Sequence, residues 1–194
     1  IIGNLALPSE KASALTREYF GRIIEEKVLG QSNIQERAAT NPLNRYVAGL
    51  PAGVLAKALG LGGGNFTLDA ACSSSLYAIK LAVDELQSRR ADAMLAGGLS
   101  RPDCLYTQMG FSQLHALSPT GTCSPFDQNG DGLVVGEGCG MFMLKRLDDA
   151  LENGDTIHAI IKGIGLSNDI GGSLLAPMTD GQLRAMRPAY EAAG

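Results

Sequence analysis

The sequence predicts a layered α/β fold, and three observations carry that prediction. Helix-like and strand-like hydrophobic periods alternate along the chain. One strand-like run, Ala93-Met94-Leu95-Ala96, is apolar without interruption, as in a strand covered by helices on both faces. Many of the 25 glycines sit together at apparent element ends, as in Gly62-Gly63-Gly64, Gly97-Gly98 and Gly171-Gly172. That distribution suits tight turns and close backbone contacts between layers.

The elements follow in order. Residues 10–28 read as an amphipathic helix with Leu15, Tyr19, Ile23 and Ile24 on one side. Residues 41–58 begin as a loop and become a second helix that ends near Gly60. A short buried strand over 66–70 leads into a helix over 73–88, whose helical spacing is carried by Leu76, Ile79, Val83 and Leu86. The buried strand 93–96 is closed by Gly97-Gly98. Pro102 opens a short helix that runs through Leu114. After a long loop, 133–135 and 139–144 read as strand pieces separated by Gly136-Glu137-Gly138. Residues 148–153 form a short helix and 156–166 a β-rich strand. The last helix, 182–193, is interrupted or bent by Pro188.

Composition narrows the function. The 194 residues are 45% hydrophobic and 19% charged, enough for a sizeable core. A net charge of -4 without a basic run argues against a nucleic-acid surface. No apolar stretch approaches the ~20 residues of a membrane span. Ile1-Ile2-Gly3 lacks the charged start and apolar core of a signal peptide, and the absence of Met there is read as a start inside a longer protein. Cys72, Cys104, Cys123 and Cys139 form no C-x-x-C pair, and His115 and His158 are the only histidines. No metal site is expected, and the cysteines read as reduced thiols of a cytoplasmic protein.

Cys72 is the candidate nucleophile. Asp69-Ala70-Ala71-Cys72-Ser73-Ser74-Ser75-Leu76 reads as strand, sharp turn and helix, with the thiol at the helix head. Unpaired N–H groups and the positive end of the helix dipole favour negative charge on sulfur there. The Cys72 N–H supplies one oxyanion donor. The small neighbours leave room for an acyl group, and the three serines start the helix and tighten the elbow. A base is harder to find. His158 lies on an alternating strand and His115 near a helix end, where structural roles are the simpler reading. Asp127-Gln128-Asn129-Gly130-Asp131-Gly132 opens like a calcium-binding loop. Its twelfth position is Gly138, with Glu137 one residue short, so a turn capped by Asp and Asn side chains is expected instead. The glycine clusters match no nucleotide-binding pattern.

The stretch 69–76 resembles the active-site motif of β-ketoacyl synthases, in the form used by polyketide synthases. Further blocks agree in order and spacing: Ala96-Gly97-Gly98, Ala116-Leu117-Ser118-Pro119 with Cys123, Pro125, Phe126 and Asp127, then Asp131-Gly132 with Gly136-Glu137-Gly138. Residues 101–111 lean toward polyunsaturated fatty acid synthases and iterative polyketide synthases. The resemblance implies a thiolase-like, layered α-β-α fold of two similar halves. Residues 1–166 would be the N-terminal half and 167–194 the truncated start of the next.

The resemblance also implies a decarboxylative Claisen condensation, in polyketide or polyunsaturated fatty acid biosynthesis. An acyl chain on Cys72 is joined to a malonyl-type extender held by acyl carrier protein. No cofactor is bound by the chain itself; phosphopantetheine arrives on the carrier. Ala71 and Phe111 match acyl-pocket positions. Two histidines and a lysine assist in the family, all in the second half and past Gly194, so this piece alone is not expected to condense. The intact domain is expected to be a homodimer in the cytoplasm. The alternatives are a non-catalytic partner like chain-length factors, which typically lack the elbow cysteine, and another thiolase-fold acyltransferase.

Overall fold

The computed structural model describes residues 1–3, 27, 50–100, 105–172 and 176–194. The expected first helix, apart from Lys27, the approach to the second helix, Pro102 and Cys104 lie outside the described residues. The described elements are β1 (Ile2–Gly3), α1 (Leu50–Ala58), β2 (Thr67–Leu68), a 3₁₀ turn (Ala71–Ser73), α2 (Ser74–Gln87), β3 (Met94–Ser100), α3 (Leu105–Gln113), β4 (Gly138–Leu144), α4 (Leu147–Glu152) and α5 (Thr179–Ala193). They fall into two compact units. The first comprises Ile1–Ala82, Leu95–Leu99 and Cys139–Phe142; the second comprises Val83–Met94, Ser100–Gly138 and Met143–Gly194.

The first unit is built on a sheet of order β2-β1-β3-β4. The two-residue β1 is central and parallel to both neighbours: Ile2 pairs with Thr67 and Gly97, Gly3 with Leu68 and Gly98. Ile1, Ile2 and Ala96 are buried there. Gly97 and Gly98 do not close β3, as the sequence led us to expect; the strand runs through them. A Cβ at Gly98 would stand 2.8 Å from the Ser75 Cβ, and one at Gly3 would stand 2.6 Å from the Ser74 carbonyl oxygen. These glycines therefore admit the start of α2 onto the sheet, which is the close-approach use of glycine in a strand rather than the terminating one.

The same contact redefines the buried face of α2. Ser74, Ala78, Ala82 and Leu86 are buried, four residues apart along one stripe, whereas Leu76 is 60% exposed. At its start the helix lies on small side chains, which let its axis come down over Gly3 and Gly98. In α1, Ala52 and Ala56 form a matching buried pair, and the Ala52 N–H donates to Thr67 Oγ1 at 3.3 Å.

Four helices end in the same way. The Leu61 N–H reaches the Ala56 carbonyl and the Gly60 N–H that of Lys57, with Gly60 at φ +65°. This is the paired 6→1 and 5→2 bonding of a Schellman end. Gly154 closes α4 likewise at φ +68°, but α2 and α3 place Arg89 (φ +55°) and His115 (φ +52°) at that left-handed position.

In the second unit Arg146 ties the chain after β4 to the end of α2. Its Nη1 donates to the carbonyls of Leu86 (2.8 Å) and Ala91 (2.7 Å), and its Nη2 pairs with Asp92 and Asp149. Two strand expectations are corrected here. Residues 156–166 belong to no strand among the described residues, and of 133–135 only Leu133 makes an isolated bridge, to Leu117. Apolar alternation records a capacity to pair, but a ladder also needs a neighbouring edge. Gly163 and Gly165 instead lie against the Ala189 and Ala185 carbonyls of α5. That helix runs through Pro188 without a break. The proline deprives the Arg184 carbonyl of its intrahelical partner, and both residues are exposed to water, which can serve instead.

Candidate active site

The elbow between β2 and α2 is the candidate active site. β2 stops at Leu68, and Ala70 and Ala71 turn the chain. Ala71 takes φ +51°, a left-handed conformation rare outside glycine. Every polar backbone group of the Ala70–Ala71 dipeptide has a partner. The Ala71 N–H donates to Asp69 Oδ1 (2.9 Å) and the Ala70 N–H to Ser74 Oγ (2.8 Å). The Ala70 carbonyl accepts from the Ser73 N–H (3.2 Å) and Ser73 Oγ (2.8 Å). The Ala71 carbonyl accepts from the Ser74 N–H and from Ser74 Oγ (2.6 Å). Cys72 follows in the 3₁₀ turn, a free and exposed thiol. Among the described residues no backbone carbonyl accepts from the Cys72 N–H.

The structure thus brings Ala71 and Cys72 together at the head of α2, in the first unit. Phe111, half-buried on α3, belongs to the second unit. His115 is exposed and serves as the left-handed end of α3; His158 is exposed in the segment 156–166, which forms no strand among the described residues. Cys123 and Cys139 are also free and exposed. Asp69 is the elbow residue that sequence reasoning passed over. An Asp two residues before a small-residue turn is a recognised local acceptor pattern and was available as a signal.

The acidic loop after α3 is organised by its own hydroxyls and amides. Asp127 Oδ1 accepts from the Asn129 N–H at 2.8 Å. Asp131 accepts from Ser118 Oγ and, at 2.7 Å, from Thr120 Oγ1. The Ser118 bond first, then that of Thr120, holds the Asp131 carboxyl below its usual value. Among the described residues no group of three or more His, Cys, Asp or Glu side chains could hold a metal ion. Nor is any described helix long and apolar enough to cross a membrane.

Comparison with known proteins identifies the family. The family described as "Beta-ketoacyl synthase, N-terminal domain" matches residues 8–150. A mycocerosic acid synthase-like polyketide synthase of Mycolicibacterium smegmatis is 43% identical over 146 residues, covering 75% of this chain and 7% of that protein. A polyunsaturated fatty acid synthase of Thraustochytrium sp. is 32% identical over 197 residues, covering 92% of this chain and 7% of the matched polypeptide. The chain therefore spans less than a tenth of the length of either relative.

Among solved structures, "PfaC Keto synthase-Chain length factor" superposes with a TM-score of 0.82 at 41% identity, covering 99% of this chain and 22% of that one. The ketosynthase from module 6 of the bacillaene synthase from Bacillus subtilis 168 superposes at 0.69 with 36% identity, covering 74% of this chain and 26% of that one. The expected thiolase-like α/β fold is thereby established. With the elbow cysteine at the head of a helix and the family match spanning most of its length, this chain belongs to the β-ketoacyl synthase family, as a member of its N-terminal domain.

Proposed function

We propose that this chain carries the acyl-accepting half of a ketosynthase active site, in a synthase that builds polyketides or polyunsaturated fatty acids. The observation that supports this most is the exposed Cys72 thiol at the helix head, on a backbone turn whose other polar groups are already paired. In the first half-reaction the Cys72 sulfur attacks the thioester carbonyl of an acyl chain carried on phosphopantetheine. A new C–S bond forms, the pantetheine thiolate leaves and takes up a proton, and the carrier protein departs. The Cys72 N–H donates to the oxyanion that develops on the way. In the second, a malonyl-type extender on a carrier loses carbon dioxide and the resulting carbanion attacks the acyl-Cys72 carbonyl. A C–C bond forms, the C–S bond breaks and Cys72 is released as thiolate. By the family resemblance Ala71 and Phe111 each match an acyl-pocket position, acyl carrier protein is the partner, and the intact domain works as a homodimer.

The first half-reaction is tested by mass spectrometry. Incubation with an acyl pantetheine thioester is expected to leave one acyl group on Cys72, and none after Cys72→Ala. Acylation spread evenly over Cys72, Cys123 and Cys139 would overturn the assignment.

A further inference from the structure

We infer that Ser74 is a positioning residue for the nucleophile: its buried hydroxyl clamps the left-handed turn at Ala71 and so fixes where Cys72 presents its sulfur and its N–H. The inference rests on the assignment of Cys72 as the acylated residue. Ser74 is the first residue of α2, 6% exposed, and the only buried polar residue among those described. Its hydroxyl has a single proton and uses it. Oγ donates to the Ala71 carbonyl at 2.6 Å while accepting from the Ala70 N–H at 2.8 Å. One side-chain atom thus spans the turn, touching the peptide before Ala70 and the peptide that joins Ala71 to Cys72.

That second contact matters chemically. The Ala71 carbonyl and the Cys72 N–H are the two ends of one planar peptide. A hydroxyl that fixes the carbonyl fixes the direction of the N–H, the donor proposed to meet the oxyanion. Left alone, Ala71 would relax from φ +51° toward the right-handed region, which is favoured for alanine, and both the N–H and the sulfur would swing with it. Ser73 and Ser75 do not duplicate this. Ser73 Oγ reaches only the Ala70 carbonyl, and the Ser75 side chain lies at the position of Gly98.

The test is the rate of iodoacetamide alkylation at each cysteine of this chain, resolved by peptide mass spectrometry. Ser74→Ala is expected to slow Cys72 about tenfold, the effect of removing one well-placed hydrogen bond, with Cys123 and Cys139 unchanged. Ser74→Thr, which keeps the hydroxyl, is expected to restore the rate, and Ser75→Ala to leave it as it was. A Cys72 rate that is high in the unmutated chain and equally high in a folded Ser74→Ala chain overturns the clamp alone. A Cys72 no faster than Cys123 and Cys139 in the unmutated chain overturns the nucleophile assignment and the clamp's role with it. Hydrogen exchange supplies a readout that does not need the variant to fold. The Ala70 amide is expected to be protected, and exchange at the rate of an unstructured peptide overturns the clamp.

Discussion

Gly163 lies directly against the Ala189 carbonyl, and Gly165 against that of Ala185, four residues earlier on α5. The two glycines are two apart on the segment that precedes the helix, and the two alanines are one turn apart on its face, so the periods of 2 and 3.6 meet through backbone alone. A methyl group has no room at either glycine. Gly165→Ala and Gly163→Ala are each expected to destabilise the chain by about 1–3 kcal/mol, the usual cost of overpacking. Urea unfolding followed by circular dichroism checks this, and an unchanged midpoint would contradict the contact.

Gly98 makes an equivalent prediction in the first unit. A Cβ there meets the Ser75 Cβ at 2.8 Å, under the head of α2. Gly98→Val is expected to cost about 1–3 kcal/mol for the same reason, and to lower the rate of Cys72 acylation as well, because the displaced element carries the elbow. Gly62→Val, where nothing approaches within 4 Å, is the control for side-chain bulk. Equal effects at the two positions would show that α2 does not stand on Gly98.

His115 holds a left-handed conformation at the end of α3, with its N–H bonded to the Ser112 carbonyl at 3.0 Å. Non-glycine residues pay about 1–2 kcal/mol for that region, offset in part by the extra freedom glycine loses on folding. His115→Gly is expected to stabilise by about 0.5–1 kcal/mol and to leave Cys72 acylation unchanged. Loss of acylation would instead give the imidazole a chemical role.

Asp131 gives the chain an acid-sensitive loop. Ser118 and Thr120 hold its carboxyl below the ordinary value in the folded chain. Stability from this group is therefore complete above the unfolded-state value and is lost as pH falls through the lower, folded one. A carboxyl-carbon NMR titration is expected to show a depressed midpoint for Asp131 that rises toward the usual Asp value in Ser118→Ala. A midpoint that does not move on that substitution would remove Ser118 as the cause.

The nucleophile was legible because its signal is local. A strand, small residues, Cys72 and a run of serines are contiguous, and each acts on its neighbours through the backbone. Helix ends were legible for the same reason where glycine marked them, as at Gly60 and Gly154. The ends of α2 and α3 were read to within a residue as well; what the sequence did not carry there is that Arg89 and His115 take the left-handed position usually given to glycine. Of the interruption or bend expected at Pro188, the interruption did not occur, because a proline's local cost is tolerated when the carbonyl it strands faces water.

The sequence by itself determined the alternation of helix and strand, the elbow and its cysteine, and the family to which the chain belongs. The tertiary structure decided which glycines end a strand and which admit a helix. It also decided that α2 lies on Ser74, Ala78, Ala82 and Leu86 rather than on the side containing Leu76. The physical reason is the same in each case. Conformational preference and local hydrogen bonding act over a few residues, whereas close packing and strand pairing depend on what a distant part of the chain brings alongside. A glycine offers that space without naming the partner that fills it.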